Sequence, residues 1–131
     1  MQRKSFLQAV AMGTMVILAP KSHGTMSEKN LFVHHVYFWL KNPESKDDYN
    51  KLLEGLQNLS KGVSYIKLCH IGKPADTHRD VVERSYAVSW LLFFKNKEDQ
   101  DKYQVDPVHL KFVEQYSHLW SKVIVYDAVD V

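Results

Sequence analysis

A tyrosine and a histidine, Tyr103 and His109, are the strongest candidates for chemistry in this 131-residue chain. Asp106-Pro107, between them, predicts a helix start with Asp as N-cap and Pro at the first helical position. His109 then stands near the third position, where unpaired N–H groups and the helix dipole disfavour imidazolium. Burial on one helix face with Phe112 and Tyr116 acts in the same direction. The sequence therefore predicts His109 as a base near pH 7 and Tyr103 as the donor that holds an enolate oxygen.

The same two residues also have a purely structural interpretation. In that interpretation His109 caps or packs the helix start, and Tyr103 fills the core. Two further histidines, His34 and His35, are adjacent in an apolar segment that is typical of a strand. Because successive strand residues point to opposite faces, they cannot bind one metal ion together within a protomer. We expect one of them to face the helices and the other the opposite side of the sheet.

Composition excludes several classes of protein. Apolar residues make up 45% of the chain and charged residues 24%, as in globular domains. Setting aside Arg3, Lys4 and Lys21 leaves 14 basic against 15 acidic residues, so the sequence predicts no nucleic-acid partner. One cysteine, Cys69, excludes an intrachain disulfide and a cysteine-rich zinc site. No nucleotide-binding, metalloprotease or serine-hydrolase motif occurs, and we expect neither a metal nor a cofactor, although a histidine in a barrel leaves haem open.

The head of the chain, residues 1–27, is predicted to be an export signal or a disordered leader. A basic start precedes an apolar stretch from Ala9 to Ala19, which is too short to span a membrane. The segment from Arg3 to Gln8 is similar to the twin-arginine export motif, with Lys4 in place of the second Arg. We expect export to the periplasm, with a cytoplasmic protein as the alternative, no stable membrane insertion of the mature domain, and no loss of stability on deletion of the head.

Periodicity in the remaining residues, 28–131, predicts strand, helix, strand, strand, helix, strand, with a short extra helix before the last one. The predicted strands are Leu31–Lys41, Val63–Ile71, Tyr86–Lys95 and Lys122–Val129. The predicted helices open at Asn42-Pro43-Glu44-Ser45, with Pro43 in the first turn, at Asn96 and at Asp106-Pro107. They end at Lys61-Gly62, where Gly62 is expected to be left-handed, at Tyr103 and at about Trp120. This order is the ferredoxin-like α+β arrangement with a four-stranded antiparallel sheet. The first and third strands are apolar on both faces, which predicts a homodimer that packs sheet against sheet.

Three segments carry a family resemblance: His34 to Lys41, Tyr103-x-x-Asp106-Pro107-x-His109, and Trp120 to Asp127. Over about residues 31–130 the chain resembles the stress-responsive A/B barrel (Dabb) proteins, whose ferredoxin-like protomers pair into a dimeric α+β barrel. A plant member of that family closes a polyketide ring by aldol condensation, and it is similar to this chain in the spacing of Tyr103 and His109. The resemblance also implies that His34 is a pocket residue. The histidine that the plant cyclase carries on its third strand is absent here, where the chain reads Tyr86-Ala87-Val88-Ser89.

Two functions follow from these observations. The first is a lyase-like or cyclase-like enzyme that uses His109 and Tyr103 for proton transfer on an apolar carbonyl compound. The second is a non-catalytic, stress-responsive dimeric barrel that binds a small apolar ligand. An enclosed cavity of about 300 Å³ or more between sheet and helices would favour the enzyme. The residues predicted to contact the ligand are His34, Trp39, Trp90, Phe112 and Tyr116.

Overall fold

The computed structural model describes residues 30–131 of the chain. The predicted leader at 1–27 lies outside this range, so its role in export stays a prediction. Four strands form one antiparallel sheet: β1 (Phe32–Leu40), β2 (Ile66–Gly72), β3 (Val88–Phe94) and β4 (Trp120–Val129). Three helices pack on the sheet: α1 (Lys46–Gly62), α2 (Lys97–Gln104) and α3 (Pro107–Tyr116). The predicted α+β, ferredoxin-like order of elements is therefore confirmed.

Sheet order determines which side chains meet. The strands lie in the order β2-β3-β1-β4, so β1 is bonded to β3 on one side and to β4 on the other. Alternate residues of β1 are buried against the helices, and the residues between them are only half-buried. His34 is on the helix-facing side and His35 on the other side, as strand geometry requires. We call the side away from the helices the open face.

The core lies between the sheet and the helices. α1 contributes Leu52, Leu56 and Leu59, all of them buried. The sheet supplies Val88, Leu92 and other apolar side chains that alternate toward the same layer. Burial of these side chains is the main favourable contribution to folding.

Two expectations about α1 were wrong. Ser45 is its N-cap and accepts a hydrogen bond from the Asp48 N–H at 3.2 Å, so Asn42-Pro43 precede the helix instead of forming its first turn. Gly62 is the last helical residue, but no glycine among residues 30–131 has a positive φ. The chain leaves the helix through Val63 in an extended conformation, so no left-handed residue is required.

The two later helices begin as predicted. Asn96 caps α2 by accepting from the Asp99 N–H at 2.8 Å. Asp106 caps α3 by accepting from the Val108 N–H at 2.8 Å, and its other carboxylate oxygen accepts from the Tyr65 hydroxyl at 2.7 Å. α3 is shorter than predicted, because it ends at Tyr116 and a single 3₁₀ turn leads into β4 at Trp120.

We expect Asp106→Ala to lower the free energy of unfolding by about 1–2 kcal/mol, because it removes an N-cap and leaves the Tyr65 hydroxyl without its partner. Asp106→Asn keeps an oxygen that can cap the helix and is the matched control. Urea unfolding at pH 7 measures both effects. Equal losses in the two variants would show that the carboxylate charge matters more than the cap.

The same cap has a pH dependence. The hydrogen bond from Tyr65, together with that from the Val108 N–H, lowers the pKa of the Asp106 carboxyl. The ionised Asp106 carboxylate therefore contributes fully to the free energy of unfolding above its pKa in the unfolded chain. This contribution decreases as the pH falls toward the pKa of Asp106 in the folded protein.

Candidate functional site

The turn between α2 and α3 brings the predicted pair together. Tyr103 is buried near the end of α2, and His109 lies in the first turn of α3. The Asp106 N–H donates to the Tyr103 carbonyl at 3.1 Å, which folds the chain back between the two helices. As a result the two rings lie in contact and tilted, with centroids 4.3 Å apart and planes at 33°. Because six residues separate the pair along the chain, this geometry is set locally.

The hydrogen bond of His109 defines its tautomer. Its Nδ1 lies 3.3 Å from the carbonyl oxygen of Gln104, and since a carbonyl only accepts, Nδ1 must carry the hydrogen. Nε2 is then the nitrogen with the free lone pair. Burial lowers the pKa of this imidazole, although the Gln104 carbonyl opposes the shift; His34 lowers it further and Asp106 raises it. This is the direction expected from the sequence, and burial is its largest cause.

Tyr103 is held in its protonated form. Burial raises the pKa of the phenol to about 12; the nearby indole N–H of Trp90 acts against this rise, and Asp106 adds to it. At neutral pH the side chain is therefore a hydrogen-bond donor and does not ionise. This is the protonation state that the predicted role of Tyr103 requires.

His34 joins this pair from the sheet. It is buried, and its ring centroid lies 5.9 Å from that of Tyr103. Its Nδ1 is 2.5 Å from the Oδ1 of Asp127, which stands directly opposite His34 in the β1–β4 register. A carboxylate accepts the Nδ1 hydrogen, so the bond fixes the orientation of the His34 ring.

Asp127 was not among the predicted site residues. Its sequence signal is its position on β4: Val123, Val125 and Asp127 alternate onto the helix-facing side, and only the last of them is polar. A polar residue in an otherwise apolar alternation requires a partner on that face. Identifying the partner as His34 would have required the strand register.

These side chains surround a cavity of about 130 Å³ between the sheet and α3. Its wall combines the polar groups with an apolar lining: His34, Val36, Phe38, Trp90, Tyr103, Gln104, His109, Phe112, Val113, Trp120, Val123 and Val125. Val113, Val123 and Val125 are each 37–43% exposed and form its mouth. No lysine, arginine, aspartate or glutamate lines it in the described part of the chain. The predicted residues His34, Trp90 and Phe112 thus lie with the Tyr103–His109 pair.

Two predicted ligand contacts lie elsewhere. Trp39 is on the open face, where its indole N–H donates to Ser85 Oγ at 2.9 Å and the Lys122 ammonium lies 4.5 Å from its ring centroid. It is an odd number of residues from His34, so strand alternation separates the two. Tyr116 packs over Gly55 of α1, where an added Cβ would lie 2.9 Å from its ring. Tyr116 lies on the predicted face of α3, but it lines a groove between α1 and α3 instead of the cavity.

A larger cavity, of about 460 Å³, lies on the open face. It is bounded by the sheet and the connection before β3: Tyr37, Trp39, Glu83, Ser85, Tyr86, Lys122, Ile124 and Tyr126. No histidine among residues 30–131 lines it, and the thickness of the sheet separates it from Tyr103 and His109. We therefore assign the candidate chemistry to the smaller cavity, where the base and the donor meet.

Between residues 30 and 131, no group of three or more His, Cys, Asp or Glu side chains is arranged to hold a metal ion. None of the helices in this range combines the length and apolar character needed to cross a membrane.

The family model of the stress-responsive A/B barrel domain, Dabb, matches residues 32–130.

The chain belongs to the Dabb family.

Solved structures share the fold of this Dabb chain. A protein from Arabidopsis thaliana is 24% identical, with a TM-score of 0.65 over 76% of this chain and 95% of that one. A hydroxynitrile lyase from Passiflora edulis is 17% identical, with a TM-score of 0.65 over 79% of this chain and 95% of that one. A dimeric ferredoxin-like protein of unknown function from Thermobifida fusca is 12% identical, with a TM-score of 0.63 over 79% and 93%. No curated protein matches the sequence of this chain.

The His109 pKa of the Dabb domain is open to direct measurement. We expect NMR titration to place it below the ordinary value of 6.5, because burial disfavours the charged ring. A lowered histidine pKa means that the unfolded state binds the proton more readily. Stability should therefore be unaffected well above 6.5 and decrease as the pH falls through that value. A measured pKa at or above 6.5 would contradict the expected lowering and remove the argument that burial prepares His109 to act as a base.

Proposed function

We propose that this protein is a small enzyme that moves a proton on an uncharged carbonyl compound bound between sheet and α3. The observation that carries the proposal is the His109–Tyr103 pair. A neutral imidazole with a free Nε2 lies against a phenol that stays protonated, and both line one cavity. A base and an oxygen-holding donor are the two groups that proton abstraction next to a carbonyl requires.

In the proposed step, the C–H bond next to the carbonyl breaks and its proton goes to Nε2 of His109. The electron pair of that bond moves onto the carbonyl oxygen, which becomes an enolate and accepts the hydrogen bond of Tyr103. The enolate then takes the proton back at its oxygen or on its opposite face, which is an isomerisation. Alternatively, the enolate carbon attacks a second carbonyl group, the π bond of that group breaks, and its oxygen takes the proton from His109; this is the bond formation of an aldol cyclisation.

His34 and Asp127 have a positioning role in this proposal. The carboxylate holds the His34 ring in one orientation beside the Tyr103 ring. His34 and His109 line the same largely apolar cavity, and His34 lowers the pKa of His109. Held in place by Asp127, His34 therefore helps to keep the His109 imidazole neutral, as the base requires.

The cavity limits the ligand in charge and size. Since no lysine or arginine among the described residues lines its wall, that part of the chain offers no fixed positive charge to neutralise a carboxylate or a phosphate. Its volume is below the 300 Å³ or more expected from the sequence, and it is close to that of apolar protein cavities that hold benzene. The proposed substrate is therefore a neutral compound with a six-membered ring or a short chain. A longer substituent would extend out of the cavity through the mouth formed by Val113, Val123 and Val125.

The functional unit is proposed to be a homodimer joined through the open face. This face carries apolar residues on neighbouring strands, among them Val33, Leu91, Phe93 and Ile124, and an uncovered apolar sheet is prone to aggregate. The dimeric neighbour from Thermobifida fusca supports this assembly. A second copy would cover the larger cavity and leave the His109 cavity, on the far side of the sheet, accessible.

Deuterium exchange tests the proposed chemistry without knowledge of the natural substrate. The protein is incubated in D₂O with small neutral ketones, 4′-fluoroacetophenone among them, and ¹H NMR follows the signal of the protons next to the carbonyl. We expect that signal to decay faster than in buffer. ¹⁹F NMR of the same samples reports binding. A ketone that binds without faster exchange would contradict the enzyme and support a binding protein.

One observation favours the non-catalytic alternative. The cavity is smaller than most sites for drug-sized ligands, and the large Trp90 side chain forms part of its wall. A small apolar ligand could fill it without reacting. In that case the hydrocarbon analogue of a ketone should bind as well as the ketone itself.

The reaction of the Passiflora edulis neighbour, a hydroxynitrile lyase, suggests a second class of probe. Cleavage of a cyanohydrin moves the hydroxyl proton to a base, breaks the C–CN bond and releases cyanide with the electron pair, leaving a carbonyl compound. His109 would serve as this base too. Mandelonitrile, followed by benzaldehyde absorbance, therefore belongs among the compounds tested.

A further inference from the structure

The Trp90 side chain carries a buried hydrogen-bond donor for which the fold supplies no partner. Trp90 is 1% exposed, and its Nε1 is the buried side-chain polar atom within residues 30–131 that lacks a hydrogen bond. It projects from β3 toward the helices, opposite Val36 in the register, and lines the His109 cavity. The two other tryptophans differ, because Trp39 donates to Ser85 on the open face and Trp120 is half-buried at the start of β4.

An unpartnered buried donor is unfavourable for folding, and native proteins keep few of them. Where one persists in a candidate site, a ligand is a natural partner for it. The indole N–H lies near enough to the Tyr103 phenol to lower its pKa, but no hydrogen bond of acceptable geometry joins the two. The Trp90 N–H and the Tyr103 O–H, both on uncharged side chains, are therefore neighbouring hydrogen-bond donors in one wall of the cavity.

We propose that the indole N–H of Trp90 and the hydroxyl of Tyr103 together hold a single oxygen of the ligand. This inference rests on the proposed function and deepens it: the site selects an uncharged compound with one sp² oxygen that accepts two hydrogen bonds. Both donors strengthen as negative charge develops on that oxygen, so the pair would serve an enolate better than the ketone from which it forms.

The proposal makes Trp90 a specificity residue as well as an apolar wall. A ligand that offers an acceptor oxygen satisfies the buried N–H, whereas a ligand of the same shape without that oxygen leaves it unpaired. A site of this kind discriminates against the analogue that lacks the polar group. The discrimination should disappear when the N–H is removed and the ring is kept.

The test compares two probes of almost equal shape. In 4′-fluoroacetophenone a carbonyl stands where 1-ethyl-4-fluorobenzene has a CH₂ group, and ¹⁹F NMR titration gives the Kd of each. Site-specific replacement of the Trp90 indole by benzothiophene exchanges the N–H for sulfur and preserves ring size. We expect the ketone to bind the variant about five- to tenfold more weakly and the hydrocarbon to bind it unchanged. The same replacement at Trp39 is the matched control and should change neither Kd.

A second measurement uses the unmodified protein. The indole ¹H–¹⁵N signal of Trp90, identified by its loss in the benzothiophene variant, should move downfield with the ketone and not with the hydrocarbon. Equal Kd changes for the two probes, or a Trp90 signal that responds alike to both, would overturn the inference. A ketone that depends on the Trp90 N–H but undergoes no exchange would leave the inference standing and contradict the proposed catalysis. Failure of both probes to bind would overturn both.

Discussion

Replacing His109 by Gln is expected to reduce the catalysed exchange of ketone protons by about 10²- to 10⁴-fold, the usual contribution of a general base. Glutamine approximates the size of the ring and retains hydrogen-bonding capacity, but it has no nitrogen that accepts a proton near pH 7. The side chain is only half-buried, so we expect the melting temperature to change little. Exchange of 4′-fluoroacetophenone in D₂O at pH 7.5 measures the loss.

His118→Gln is the control for this variant. His118 follows α3 in the 3₁₀ turn and is exposed, so its replacement should leave exchange at the wild-type rate. In the wild type the rate should fall as the pH drops through the His109 pKa, because protonation occupies Nε2. A His109→Gln protein that still catalyses exchange with the wild-type pH profile would show that another group is the base.

Introducing a charge on the open face is expected to separate the dimer. Phe93 lies in β3 between Val33 of β1 and Leu68 of β2, in a row that offers no charged partner. In Phe93→Glu, assembly would bury an unpaired carboxylate in each copy, which typically costs several kcal/mol. We expect the dimer Kd to rise at least 100-fold. Sedimentation at micromolar concentration should then show a monomer or an aggregate in place of a dimer.

Leu110→Glu makes the same chemical change at an exposed position of α3, away from the sheet. It should leave the dimer intact, which separates the effect of the open face from that of added charge. If Phe93→Glu remained a dimer with wild-type affinity, the two copies would have to meet through another surface. A wild-type protein that is a well-behaved monomer would contradict the sheet-to-sheet assembly itself.

The fold was predictable because its signals are local. Alternating and helical periodicity identified the strands and helices, and Asn96 and Asp106 identified two helix starts by short-range capping. The Tyr103–His109 pair was predictable for the same reason, since one turn connects the two residues. The end of α3 was not, because Ser117–Leu119 continue in a helical turn of another type and the apolar pattern runs on to Trp120.

The rest of the site depends on contacts between distant segments. Asp127 meets His34 across 93 residues of chain, and only the strand register determines that contact. Trp39 shows the reverse error: its residue type suits a pocket, but its position in β1 places it on the open face. The unpaired N–H of Trp90 is a property of the packed structure, because a sequence does not show which donors will lack an acceptor.

The position of β4 has a consequence for how long the His34–Asp127 bond persists. β4 pairs with β1 on one side only, within a single copy, and Asp127 is the third residue from its end at Val129. Strand ends at a sheet edge fray by local opening, at a free-energy cost well below that of global unfolding. The carboxylate therefore leaves His34 whenever these last residues open, while Tyr103 and His109 stay together on their own turn. Amide hydrogen exchange at the end of β4 would report the lifetime of the orienting bond directly, residue by residue, in the folded protein.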